Sequence, residues 1–328
     1  MEPNKPYVTI FNMLLIVIAY GYLAYRLIIF DDYASFLSTF QQADLWLWVA
    51  LAATILLMPL NVYCEAGKWR LLLRDIEPMT IWRAQQQVYY GFVGAFITPF
   101  HAGDYPSRAM LIEDKSKFSA AIGLGLVGTA ALLIVELMLG LPAAWLFVAY
   151  DQAIPSHHLA IALVGLLLLL VVMPWVVKKL ARLKWRSAQM QQLCSAISQL
   201  SYARFIQTIG WSLVRYVVWS VQLILALHFC GVDMSLVEYL IALPTYYLVI
   251  AVFPSMPALN VAIRGSWSII IFGTFCSNTA GIAMAITLIW LINTVLPMCI
   301  GSVLYRGGRL VQAPVDSPEV FKRSDLKL

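Results

Sequence analysis

The stretch Ile81-Trp-Arg-Ala-Gln-Gln-Gln-Val-Tyr-Tyr90-Gly-Phe-Val-Gly-Ala-Phe-Ile-Thr98-Pro-Phe-His-Ala-Gly-Asp104-Tyr-Pro-Ser-Arg108-Ala-Met-Leu-Ile112 is apolar at both ends and broken in the middle. Proline, glycine and charge interrupt it before either half reaches the about 20 residues that a helix needs to cross hydrocarbon. It therefore reads as a segment that enters a membrane and returns. Non-helical backbone at that depth is tolerated only inside protein or beside a water-filled cavity, so the break itself points to a polar cavity.

The composition around it fits the same solvent. Of 328 residues, 61% are hydrophobic and 12% charged, and the mean hydropathy is +0.79. A soluble surface cannot be built from that mixture. Continuous apolar windows run over Val8 to Phe30, Leu45 to Tyr63, Phe118 to Leu139 with an extension to Tyr150, Leu159 to Val177, Phe205 to His228, and Ile282 to Leu304. They predict about six full spans. Val8 to Phe30 is too long for a signal-peptide core and lacks a small-residue cleavage site, so it reads as a retained span.

Lys and Arg in short loops set orientation. Glu65 to Arg83 carries Lys68, Arg70, Arg74 and Arg83, and Lys178 to Arg204 carries six more basic residues, whereas Asp31 to Asp44, Asp151 to His158, Phe229 to Ser235 and Phe275 to Ala280 carry none. The basic loops go inside, which puts both termini on the cytoplasmic side of a bacterial-type inner membrane. Arg26, near the outer end of the first span, can snorkel to the interface. The net charge of +5 is explained by these orientation signals, and a nucleic-acid partner is not expected.

On these sides Ile81 to Ile112 starts and ends inside, and a second interrupted region, Leu236 to Phe275, starts and ends outside. Tyr89-Tyr90, Pro99 and Arg108 in the first recur as Tyr246-Tyr247, Pro254 with Pro257, and Arg264 in the second. The fold expected is an all-α polytopic membrane protein, with two re-entrant helical hairpins arranged as an inverted repeat. Residues 1–305 form a single membrane domain, with halves at about 45–150 and 205–305 joined by 159–204. Within the connector, Met190, Leu193, Cys194, Ile197 and Leu200 fall on one face of a surface-lying helix. Residues 306–328 read as a poorly ordered cytoplasmic tail.

Ionisable groups inside a membrane are costly and mark function by default. At the first break, Arg108 offers a guanidinium fork suited to a phosphate, or it pairs with Asp104 or Glu65 and staples the hairpin. Asn260 and Arg264 are its counterparts in the second. Glu65, Lys68 and Trp69 share one helical turn, as substrate ligands or as interfacial anchors. Glu136 and Arg215 lie within spans, as a buried pair or a proton-linked site. With Tyr90, these residues are the candidate substrate-binding set.

Five scattered cysteines, Cys64, Cys194, Cys230, Cys276 and Cys299, suit packing better than disulfides or metal. Enzyme signatures are missing: there is no phosphate loop, metal-ligand cluster or nucleophile elbow, and no cofactor is expected. Asp31-Asp32 and His157-His158 read as solvated loop residues.

The order of Asn61-Val-Tyr-Cys-Glu-Ala-Gly-Lys-Trp-Arg-Leu-Leu-Leu73, Thr98 to Arg108, and Arg264-Gly265-Ser266 resembles the transmembrane flippase region of the lysylphosphatidylglycerol synthase family, over about Leu45 to Tyr305. The resemblance implies two inverted halves, each with a re-entrant helical pair, around a cavity for a phospholipid headgroup. The second break departs from the glycine-rich, acid-followed pattern of many relatives, reading Ala258-Leu-Asn-Val-Ala-Ile-Arg264. Only about twenty residues follow the last span, so the family's aminoacyl-transfer domain is missing and lysyl-lipid synthesis is not inferred. The expected function is translocation or transport of an anionic or modified lipid, and the expected partner is a membrane lipid with a phosphate headgroup. A homo-oligomer, or a lipid-modifying enzyme served by static lipid binding, stays open. The enzyme alternative is a glycosyl- or phospho-transferase acting on a polyprenyl lipid.

Overall fold

A computed structural model describes residues 45–151, 179, 187–252, 257–306 and 309–310. The windows Val8 to Phe30 and Leu159 to Val177, the pairs Asp31-Asp32 and His157-His158, and the Asn260 side chain lie outside what it describes.

Ten α-helices form the described core: α1 (Leu45–Leu72), α2 (Ile81–Ile97), α3 (Asp104–Ala109), α4 (Phe118–Asp151), α5 (Ala188–Gln199), α6 (Tyr202–Phe229), α7 (Leu236–Val252), α8 (Pro257–Phe272), α9 (Thr279–Trp290) and α10 (Leu296–Leu304). Four helices, α1, α4, α6 and the run Thr279–Leu304, are long and apolar enough to cross a membrane. They coincide with four of the six predicted spans. Their outer faces carry Trp46, Leu56, Met138, Leu213 and Val217. The buried set instead includes Asn61, Glu65, Lys68, Gln87, Arg108, Ser212 and Gln222. Apolar outside and polar inside is the pattern a lipid solvent selects.

Local chemistry fixes the ends. Thr80 and Ser201 accept from the amides of Arg83 and Arg204 and cap α2 and α6. Gly231, at φ 70°, ends α6 in the left-handed conformation that glycine adopts without strain. In the connection to α4, Ser116 donates from amide and hydroxyl to Asp114 and holds that carboxyl below its usual range. The last span contains a π-helical turn, Leu291–Val295. Pro297 follows it and has no amide to give the Asn293 carbonyl, which explains the bulge.

One expectation is corrected. The second span does not stop at Tyr63: α1 runs on to Leu72, so Glu65 and Lys68 sit in a buried helix rather than a basic loop. After the last span Tyr305–Arg306 (β1) pairs antiparallel with Arg309–Leu310 (β2), and the rest of the expected tail lies outside the described residues.

Each interrupted region holds two helices, α2 with α3 across the turn Pro99–His101, and α7 with α8, between which residues 253–256 lie outside the described residues. α1 and α6 each have 28 residues, and α2 and α7 each have 17. α1 packs along α6, α4 lies against α7 and α6, and α8 touches the turn Pro99–His101. α5 docks on the start of α4, where Gln192 donates to the Ser116 carbonyl at 2.7 Å.

Candidate functional site

The first break is a tight backbone turn. Phe100 and His101 take φ of 55° and 56°, a left-handed geometry that costs a non-glycine residue about 1 kcal/mol or more. Thr98 closes the turn: its hydroxyl donates to the Gly94 carbonyl at 2.9 Å and accepts from the Gly103 amide at 2.6 Å. α3 is thereby laid against α2 with no side chain between them. A Cβ on Gly91 would meet Asp104 Oδ1 at 2.2 Å and Arg108 Nε at 2.7 Å.

This contact delivers Arg108 to a buried ionic cluster. Its Nε and Nη2 donate to the two oxygens of Asp104 at 2.7 Å each, and its Nη1 donates to Glu65 at 2.8 Å. The guanidinium also lies over the rings of Tyr105 at 4.9 Å and Trp69 at 5.6 Å. Lys68 joins from one turn along α1, 2.7 Å from Glu65, and donates to the Gly128 carbonyl at 3.3 Å. Arg215 of α6 pairs with the other Glu65 oxygen and donates from Nε to Asn61 at 2.8 Å. Glu65 is therefore the hub, and three cations face the two carboxylates Glu65 and Asp104. Charges this buried persist only when paired, and the surplus is positive.

An uncharged relay extends the cluster. Asn61 donates to Asn293 at 3.3 Å, Asn293 to Gln222 at 2.7 Å, and Gln222 to the Thr54 carbonyl at 2.8 Å. The π-helical turn holds Asn293 between α1 and α6, a use to which such bulges are often put.

The structure thus brings together Glu65, Lys68, Asp104, Arg108 and Arg215. Arg264, half-buried on α8, and Glu136, half-buried on α4, stand apart from these pairs yet within electrostatic reach of one another. Glu136 also feels Arg215 and Lys68. Neither Glu136 nor Arg264 has a hydrogen bond or close ion pair among the described residues. Arg215 is bonded to Glu65, not to Glu136. Tyr90 lies elsewhere, its ring 4.3 Å from that of Tyr305.

Sequence reasoning missed a row of donors on α6. Ser212, Arg215, Tyr216 and Trp219 fall at i, i+3, i+4 and i+7, one helical stripe. The Ser212 hydroxyl, the Tyr216 hydroxyl and the Trp219 indole N–H are buried and make no hydrogen bond of good geometry among the described residues. Arg215 Nη2 also has none among the described residues, although the guanidinium packs 4.3 Å over the Trp219 ring. The polar spacing was there to be read; its lack of partners was not. Among the described residues, no three His, Cys, Asp or Glu side chains gather as metal ligands.

An all-helical chain with four described helices long and apolar enough to span a bilayer, packed around a buried ionic cluster, is an integral membrane protein. More particularly, the chain belongs to the family described as the lysylphosphatidylglycerol synthase TM region, whose model matches residues 12–301. No curated protein and no solved structure matches it.

Proposed function

We propose that this protein is a lipid translocase, moving an anionic or modified phospholipid by drawing its headgroup through the polar interior while the acyl chains stay in the bilayer. The observation that supports this most is the surplus of donors on α6. An unpaired buried donor costs about 1–3 kcal/mol, so several on one stripe need an acceptor-rich partner. A phosphodiester headgroup supplies negative charge and free oxygens together. Charge-assisted bonds from Arg215 Nη2 would hold it, with Arg264 opposite on the second broken segment.

The equal lengths of α1 with α6 and α2 with α7, and the recurrence of the tyrosine pair and the arginine, support two inverted halves. In such repeats each broken segment opens toward its own side, which suits alternating access to one midplane site. The Lys and Arg distribution favours cytoplasmic termini in an inner membrane. We assign the protein no covalent chemistry, because the donors and paired acids at the site include no activated nucleophile.

Mass spectrometry of the purified protein tests this reading. A phospholipid of unchanged mass should co-purify and should be depleted by Ser212→Ala together with Tyr216→Phe. A lipid returned with altered mass would favour the transferase alternative, and retention unaffected by both changes would remove the donor stripe from the binding site.

A further inference from the structure

Glu136 is a carboxyl in the middle of a spanning helix, α4, with no hydrogen bond or close ion pair among the described residues. α1, α6 and α7 pack against α4 and, with α8 further off, bring groups within electrostatic range of it. α1 contributes Lys68 with its partner Glu65, α6 contributes Arg215 and Tyr216, α7 contributes Tyr247, and α8 contributes Arg264. α3 places Asp104, Tyr105 and Arg108 against α4 about two turns away, around Gly125 and Thr129. α5 packs near Gly123 and brings no acid or base there.

The Tyr216 hydroxyl is the second, independent sign that something binds here. It is 4% exposed, makes no hydrogen bond of good geometry among the described residues although the Ser220 side chain lies near, and interacts electrostatically with Glu136. A carboxylate and an anionic headgroup would compete for the same two cations, Arg215 and Arg264. Both cannot occupy that field in charged form without strong repulsion in low dielectric.

We infer that Glu136 is a proton-binding site linked to headgroup loading: it takes one proton from water as an anionic headgroup arrives at Arg215 and Arg264, and returns it when the headgroup leaves. The inference rests on the translocase reading above and adds its coupling. The balance is simple, a carboxylate becoming a carboxylic acid as one phosphodiester charge enters, so the net charge of the site is unchanged. Linkage then fixes the sign: the loaded state holds more protons than the empty one, so loading tightens as pH falls.

The test is binding of a short-chain phosphatidylglycerol to the full chain in nanodiscs of neutral lipid, followed across about pH 5 to 9, a range in which a buried glutamate can titrate. A phosphodiester carries the same charge throughout. One linked proton weakens binding by up to about tenfold per pH unit on the alkaline side. In Glu136→Gln, a permanent mimic of the acid, affinity should be flat with pH and equal to the parent's acid limit. Calorimetry of the parent alone, in buffers of different ionisation enthalpy, should register uptake of about one proton per lipid at most, and needs no variant to fold. Binding that is independent of pH with no proton uptake overturns the inference, as does an unchanged pH slope in a folded Glu136→Gln. Absence of lipid binding at every pH overturns both the inference and the translocase reading. Proton-linked binding without transbilayer movement leaves the inference standing and overturns only translocation.

Discussion

Arg108 Nη1 lies 2.8 Å from Glu65 Oε1 and ties the short helix after the first break to the first described span. Two further N–H groups of the guanidinium donate to Asp104, so each of its three nitrogens already bonds within the cluster. Glu65 in turn pairs with Arg215, so the arginines of two helices meet on one carboxylate.

Replacing Arg108 should therefore act on stability before it acts on lipid. Arg108→Gln leaves Asp104 without its cation and Glu65 with one fewer, and breaking such a buried network costs about 3–5 kcal/mol. Thermal unfolding followed by size-exclusion chromatography in detergent should show a large drop in Tm. A Tm equal to the parent's would mean that the cluster does not brace the break.

Tyr216→Phe should do the reverse. The hydroxyl makes no hydrogen bond of good geometry among the described residues, so its removal relieves a buried unsatisfied group and leaves stability equal or up to about 1–3 kcal/mol higher. Lipid binding should weaken by roughly tenfold, because the variant loses a hydrogen bond to the headgroup. A loss of stability alongside unchanged binding would contradict the role given to the stripe.

The α2 and α3 contact is intolerant of a methyl group. A Cβ at Gly91 would sit 2.2 Å from Asp104, and overpacking of this kind costs about 1–3 kcal/mol. Gly91→Ala should lower Tm, whereas Gly265→Ala, with open space around its Cβ, should cost far less. Equal Tm values for the two variants would show that the seam yields freely.

Orientation has its own test. Lys115 and Ser277 are both exposed and flank opposite broken segments. Single cysteines there, in a background without native cysteines, should label from the inside at 115 and from the outside at 277. Labelling of both from one side would end the inverted arrangement.

Much of the architecture was legible because the bilayer imposes length. The windows at Leu45, Phe118, Phe205 and Ile282 became helices, and the stretch Thr98 to Gly103 became a break, while Pro254 lies outside the described residues. Boundaries were less legible where charge and burial conflict. Glu65 and Lys68 looked like loop residues because their cost in a membrane is high, and only the arginines of two distant helices, α3 and α6, make their burial affordable. The choice between ligand and staple for Arg108 could not be made from spacing, since Asp104 four residues earlier fits both. The donor stripe of α6 was visible as polar residues at helical spacing. That Ser212, Tyr216 and Trp219 make no hydrogen bond of good geometry among the described residues is a fact of packing, which sequence does not carry.

Headgroup translocation itself is the most direct measurement. In liposomes reconstituted with the protein and a headgroup-labelled phosphatidylglycerol, the inner-leaflet label should reach an external quencher faster than in protein-free liposomes. Arg264→Gln has no close ion pair to break among the described residues, so stability should change by no more than about 0.5 kcal/mol, while the rate falls roughly tenfold with the loss of one phosphate contact. A reconstituted, folded parent protein that moves the label no faster than the bare bilayer would contradict the account.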